Sequence, residues 1–213
     1  MRVKICGITS LEQGSAIAQL GANALGFICV KKSPRYLSPD DIATITPYLP
    51  PQVSRIGVFA NTNAAEIISI VQQTHLTAIQ LHGEETEEYC NKLRSQLPNI
   101  ELIKAIRVKS ADSLQYLETY APFVDTFLLD AYDPKQLGGT GKAFNWEYLQ
   151  DFNPPRPWFL AGGLTPDNIQ EALAMATPNG IDLSSGVEIS PGNKDLGLVK
   201  VLLQAVAARS PLK

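Results

Sequence analysis

Short apolar, β-branched runs recur along this chain with amphipathic stretches between them. They are RVKIC from Arg2, ALGFICV from Ala24, RIGVFA from Arg55, AIQLH from Ala78, ELIKAI from Glu101, DTFLLD from Asp125, PWFLA from Pro157 and GIDLS from Gly180. Most begin about 23 residues after the one before, the length of one strand, turn and helix. Strict alternation of strand and helix implies parallel strands, and eight such units predict a closed (β/α)8 barrel, a single α/β domain over residues 1–213. The rival is an open doubly wound sheet, but the first strand runs into CGIT rather than a GxGxxG turn.

The intervening segments carry helical spacing. AAEIISIVQQ after Asn63 puts Ile67, Ile70 and Val71 on one face, and TPDNIQEALAMA does the same for Ile169, Leu173 and Ala176. Thr165 followed by Pro166 predicts an N-cap with proline at the first helical position, and Ser110 or Asp112 is placed to start the helix carrying Leu114 and Leu117. Two connections exceed the usual length, KKSPRYLSPDD after the second strand and AYDPKQLGGTGKAF after the sixth. Loops longer than the ~2 to 6 residues of an ordinary βα connection tend to be functional, and both fall at the rim where barrel enzymes carry their chemistry.

Two glycine turns close the last two strands, LAGGL at Leu160 to Leu164 and DLSSGVE at Asp182 to Glu188. Without a Cβ, Gly162, Gly163 and Gly186 let the backbone turn sharply and present N–H groups to an anion, and a helix after each turn would add its positive end. The expectation is a phosphate held between Gly162–Gly163 and Ser185–Gly186, and so a phosphorylated small-molecule substrate. Gly139 and Gly141, in the long loop after the sixth strand, are placed to cover the mouth and add N–H groups to the phosphate, with Lys142 as an extra charge.

Composition narrows the classes. The 213 residues are 45% hydrophobic, enough for one large core, and their net charge of −3 without a basic cluster argues against nucleic acid or an anionic membrane as partner. Cys6, Cys29 and Cys90 are scattered and odd in number, which suggests neither disulfides nor a metal site and favours a reducing, cytoplasmic setting. No apolar stretch reaches the ~18 to 20 residues of a membrane span. The helix faces do not reveal whether the chain forms a homodimer.

Cys6 ends the first strand and Asp130 the sixth, so in a barrel both face the same mouth, where a thiol and a carboxyl suit paired acid and base work. Each alone also fits a structural role, as a small buried hydrophobe or a turn cap. His82, at the end of the fourth strand, is placed to face the mouth, equally suited to a structural hydrogen bond or a substrate contact. His75 reads as a surface residue, Cys90 as packing and Trp146 as core.

KICGIT, GFICVKKSPRYLS, IQLHGEE, LLDAYDPKQLGGTGKAFNW, LAGGLTPDN and DLSSGVEISPGNKD follow one another in an order and spacing that resembles the phosphoribosylanthranilate isomerase family of tryptophan biosynthesis. Cys29 and Asn145 depart from that pattern, where a bulkier apolar residue and an Asp are expected. The resemblance implies an Amadori rearrangement without cofactor or metal, in which Asp130 is the general acid that opens the furanose ring and Cys6 the general base at C2′. It further implies that Arg35 binds the anthranilate carboxylate and that Asp182 binds sugar hydroxyls or a neighbouring loop. A protonated carboxyl and an ionised thiol are both minority forms at pH 7, costing about 4 and 2 kcal/mol from ordinary pKa values. The thiolate therefore needs positive potential, from the N-terminus of the first helix or from Lys4. Two other functions compete: the histidine-pathway sugar-phosphate isomerase, which would favour Asp where this chain has Cys6, and a non-catalytic phosphosugar sensor.

Overall fold

The computed structural model describes residues 1–131, 146–149 and 152–208. Eight strands close into a parallel barrel in sequence order: β1 (Arg2–Cys6), β2 (Ala24–Ile28), β3 (Ser54–Phe59), β4 (Ala78–Leu81), β5 (Glu101–Val108), β6 (Thr126–Ala131), β7 (Trp158–Leu160) and β8 (Gly180–Leu183). Closure is made by β8 lying beside β1, with Lys4 opposite Asp182 and Ile5 opposite Leu183, which excludes an open sheet. All eight predicted runs are strands of this ring. The helices α1 (Leu11–Leu20), α2 (Pro39–Ile45), α3 (Ala64–Thr74), α4 (Glu87–Gln96), α5 (Leu117–Tyr120), α6 (Ile169–Met175) and α7 (Leu196–Ala207) follow strands in the order the alternation requires.

Period-two alternation divides the strand residues into two cores. Ala24, Ile56, Ala78, Ile103, Ala105, Leu128, Phe159 and Ala161 fill the barrel interior. The alternate residues, among them Val3, Ile5, Leu25, Phe27, Ile79 and Leu81, pack outward against the helices, where Ile67, Ile70 and Val71 of α3 and Ile169, Leu173 and Ala176 meet them as their spacing predicted. Trp146, Cys90 and the exposed His75 also lie where the sequence puts them, in the core, in the core and at the surface.

Helix starts differ more. Ser10, Asn63 and Thr86 cap α1, α3 and α4 by accepting a backbone N–H three residues on. Thr165 carries the cap that the sequence predicted, although regular helix begins a few residues later. Thr165 N–H donates to Asn168 Oδ1 (2.8 Å), Asn168 N–H returns to Thr165 Oγ1 (3.3 Å), and α6 begins only at Ile169. The reciprocal pair satisfies two of the orphan donors of a helix start, as the predicted Thr165 cap requires, and Ile169 N–H donates to the Thr165 carbonyl (3.1 Å). Ser110 opens a 3₁₀ turn, Ala111–Tyr116, before the short α5. After β8 no α-helix follows at once: a single 3₁₀ turn, Ser185–Val187, leads into a hairpin of β9 (Glu188–Ser190) and β10 (Asn193–Lys194), and α7 comes after it. The expected helix end behind Gly186 is thus replaced by a hairpin whose charged residues turn back toward the mouth.

Candidate active site

At the C-terminal end of the strands lies a cavity of about 520 Å³, within the size range that holds a small-molecule ligand. Its lining includes Cys6, Arg35, His82, Asp130, Gly162, Gly163, Asp182, Ser185 and Gly186. The structure therefore brings together every site residue predicted from sequence except Gly139 and Gly141, which, with Lys142 and Asn145, lie outside the described residues.

Local geometry explains the placements. Gly162 and Gly163 have φ of 87° and 67°, a left-handed backbone that a side chain would strain. A Cβ on Gly186 would be driven into the carbonyl oxygen of Leu164, so the two glycine turns touch and neither moves without the other. Arg35 is set by a loop that runs back along β2: Tyr36 bridges to Ile28, Leu37 N–H donates to the Ile28 carbonyl (3.0 Å), and the Arg35 stem lies over Gly7, which has no Cβ to obstruct it. The turn after β4 is held from outside the barrel by buried Lys104, which donates to the Gly83 carbonyl (2.8 Å) and to Glu85 (2.8 Å), while Glu85 accepts from Asn61 N–H (2.8 Å).

Arg35 has a partner that the sequence did not announce. Its Nε and Nη2 form a fork on Glu188, at 2.9 Å and 2.6 Å, and Glu188 also accepts from Lys194 Nζ (2.6 Å) and Gly192 N–H (3.1 Å). Burial pushes the Glu188 carboxyl up, but the hydrogen bonds from Arg35 and Lys194 outweigh it and hold the group below its ordinary range. Lys194 is almost wholly buried, and burial brings it below the usual lysine value against the pull of Glu188. Glu188 and Lys194 sit in the SSGVE and GNKD segments. Their signal was two opposite charges six residues apart in a stretch otherwise rich in turn formers.

Lys4 lies inside the barrel with no exposed surface, its ammonium donating to Asp182 Oδ2 (2.8 Å) and to the Gln80 side-chain oxygen (2.9 Å). The Gln80 amide nitrogen is 2.8 Å from His82 Nδ1, and His82 Nε2 is 3.3 Å from Asp130 Oδ2. That last contact has ion-pair distance without hydrogen-bond alignment, so His82 Nε2 and Asp182 Oδ1 are both buried polar atoms without a hydrogen-bond partner among the described residues. Leaving such atoms unpaired costs about 1 to 3 kcal/mol each, a cost that a ligand with hydroxyl groups removes.

Cys6 is buried, and burial pushes its thiol up, more than Lys4 and Lys194 draw it down. Asp182 adds to the upward push. The site as described thus holds a thiol flanked by two cations that favour its thiolate. Lys4 is the stronger of the two. Gly26 makes room for the group, since a Cβ there would stand 2.7 Å from the Cys6 sulfur.

A closed eightfold barrel with a thiol, a carboxyl and two glycine turns around one cavity at its C-terminal rim has the plan of a barrel enzyme acting on a small molecule. Residues 3–205 match the family model of N-(5'-phosphoribosyl)anthranilate isomerase, and the chain belongs to that family. It is 59% identical over 203 residues to N-(5'-phosphoribosyl)anthranilate isomerase of Rippkaea orientalis, covering 95% of this chain and 94% of that one. The crystal structure of phosphoribosyl anthranilate isomerase from Thermotoga maritima superposes with a TM-score of 0.90 at 38% identity, covering 97% of this chain and 98% of that one. A crystal structure of a phosphoribosyl anthranilate isomerase in complex with reduced 1-(o-carboxyphenylamino)-1-deoxyribulose 5-phosphate superposes with a TM-score of 0.86 at 36% identity, with the same coverage.

Proposed function

We propose that this chain is an isomerase of tryptophan biosynthesis that converts N-(5'-phosphoribosyl)anthranilate into 1-(2-carboxyphenylamino)-1-deoxyribulose 5-phosphate, with Asp130 as general acid and Cys6 as general base. The observation that carries the reading is the shared cavity, where Cys6 and Asp130 open onto the same space as the glycine turns and Arg35. Asp130 gives its proton to the furanose oxygen as the anthranilate nitrogen pushes the ring open to a Schiff base. Cys6 then takes the C2′ proton, and the resulting enolamine tautomerises to the ketone. One proton enters and one leaves, no electrons are exchanged with another molecule, and the protein's task is positioning and two proton transfers.

The remaining groups sort by what the substrate offers. The left-handed backbone at Gly162 and Gly163 and the contact between the turns support a phosphate held by N–H groups there and at Ser185 and Gly186. The unpaired His82 Nε2 and Asp182 Oδ1 support contacts to the sugar hydroxyls. Arg35, anchored to Glu188 through Nε and Nη2, faces the cavity as the partner of the anthranilate carboxylate. The free thiols fit a cytoplasmic enzyme, and no described helix is long and apolar enough to cross a membrane.

The test is an anthranilate-fluorescence assay on freshly generated phosphoribosylanthranilate, run beside the histidine-pathway sugar phosphate. Turnover of the first is expected; turnover of only the second overturns the assignment.

A further inference from the structure

Gln80 lies at the centre of the barrel mouth, 1% exposed, between Lys4 and His82. We infer that Gln80, itself oriented by Lys4, is a positioning residue that locks His82 in the tautomer carrying its proton on Nε2, the ring nitrogen 3.3 Å from Asp130 Oδ2.

The assignment follows from which groups can donate. A lysine ammonium has three donors and no acceptor, so the Gln80 atom 2.9 Å from Lys4 Nζ has to be the amide oxygen. The amide nitrogen is then the end that lies 2.8 Å from His82 Nδ1, and it brings hydrogens of its own. Nδ1 can meet it only as an acceptor. A neutral imidazole carries one N–H, so the proton sits on Nε2. Lys4 cannot turn away, because it is wholly buried and its other partner is Asp182 at 2.8 Å. The order Lys4, Gln80, His82 is thus a directed chain in which each donor faces the next acceptor, and it leaves the Nε2 proton near Asp130 Oδ2 without hydrogen-bond alignment.

The consequence for catalysis rests on the isomerase reading. With an N–H rather than a lone pair 3.3 Å from Oδ2 of Asp130, the carboxylate left after proton transfer has a donor beside it. The opposite tautomer would turn a basic lone pair on Asp130, and His82 would compete with the substrate for the proton. Gln80 itself touches no reacting atom.

The chain has two histidines, His75 exposed at the end of α3 and His82 in the mouth, so their ring nitrogens are resolved in a long-range ¹H–¹⁵N correlation spectrum of uniformly labelled protein. His82 is expected to show an unprotonated Nδ1 and a protonated Nε2. Gln80→Glu keeps the shape and the Lys4 bond but presents only acceptors, so it is expected to move the proton to Nδ1. Gln80→Leu removes both partners and is expected to give a tautomer mixture, with kcat reduced about tenfold or more and KM changed far less. A wild-type His82 protonated on Nδ1, or a folded Gln80→Glu protein with an unchanged His82 pattern, overturns the inference. Gln80→Glu carries the test if Gln80→Leu does not fold. The spectra need no substrate, so an inactive chain with the expected tautomer pattern would defeat the isomerase reading and leave the assignment standing.

Discussion

At the floor of the barrel Arg2 of β1 meets Glu101 of β5 through two parallel hydrogen bonds (2.7 and 2.9 Å); Thr126 adds a third to the same carboxylate (2.8 Å) and the guanidinium lies 4.9 Å from the Phe159 ring centre. At the mouth, two residues further along β1, Lys4 joins Asp182, Gln80 and His82 in a cluster that stops short: His82 Nε2 and Asp182 Oδ1 are buried without hydrogen-bond partners among the described residues. Floor and mouth share residue types but not depth: Arg2 and Glu101 keep part of their surface in solvent, whereas Lys4 and Gln80 are buried. They differ in whether their hydrogen-bonding capacity is used up, and the end that leaves it open is the end with the cavity. A saturated cluster adds order, whereas an unsaturated one stores a demand that a ligand can meet.

The strongest way to break this contrast is to remove the proton-transfer groups at the mouth. Asp130→Asn and Cys6→Ser are expected to lower single-turnover rates by about 10² to 10⁴ while the thermal midpoint stays near that of the unaltered chain. A rate within a few-fold of wild type would remove that residue from the chemistry. Next in size is Arg35→Met, expected to weaken binding of a product analogue by about 1.5 to 3 kcal/mol, and to weaken an analogue lacking the carboxylate far less. Equal losses by titration calorimetry would mean that Arg35 only ties the loop to Glu188.

The floor should respond in the reverse sense. Arg2 and Glu101 keep 35% and 23% of their side-chain surface, so solvent screening limits the effect of Glu101→Gln to about 1 kcal/mol. That corresponds to a midpoint shift of about 2 to 4 °C for a chain of this size, with kcat unchanged. A turnover defect in this variant would show that the two ends are coupled. The smallest effect concerns acid. Glu188 is held below its ordinary range in the folded protein, so its contribution is present above the unfolded-state value and lost as pH falls through the folded one. Glu188→Gln is therefore expected to flatten the acid side of a midpoint-against-pH curve below about pH 5 and to leave the neutral side's slope unchanged. An unaltered acid limb would mean that Arg35 and Lys194 do not select the ionised form.

The barrel was legible because its signal is repetitive: eight apolar runs at near-constant spacing leave few other ways to bury both faces. The placing of Cys6, His82 and Asp130 around one space follows from the same regularity, since residues at corresponding strand ends share a rim, whereas Asp182 was placed there by the family resemblance. Glu188 and Gln80 did not show themselves, because each acts on a partner distant in sequence, 153 residues away for Glu188 with Arg35 and 76 for Gln80 with Lys4, and Lys194 gains its meaning only through Glu188. A single sequence records residue types along the chain and says nothing of such pairings until the ring is closed. The Thr165 cap was legible locally, although regular helix starts only at Ile169, after the reciprocal Thr165–Asn168 pair.

The bond from Lys4 to Asp182 spans 178 positions of the chain. At a synthesis rate of ~5 to 20 residues per second, roughly 10 to 35 s separate the two residues on the ribosome. Throughout that interval the first strand carries an ammonium destined for the barrel centre and has no strand on its outer flank, because its closing neighbour is the last one made. A nascent chain that stalls before Gly180 therefore holds both an open sheet edge and an unneutralised charge, and has no route to a finished mouth.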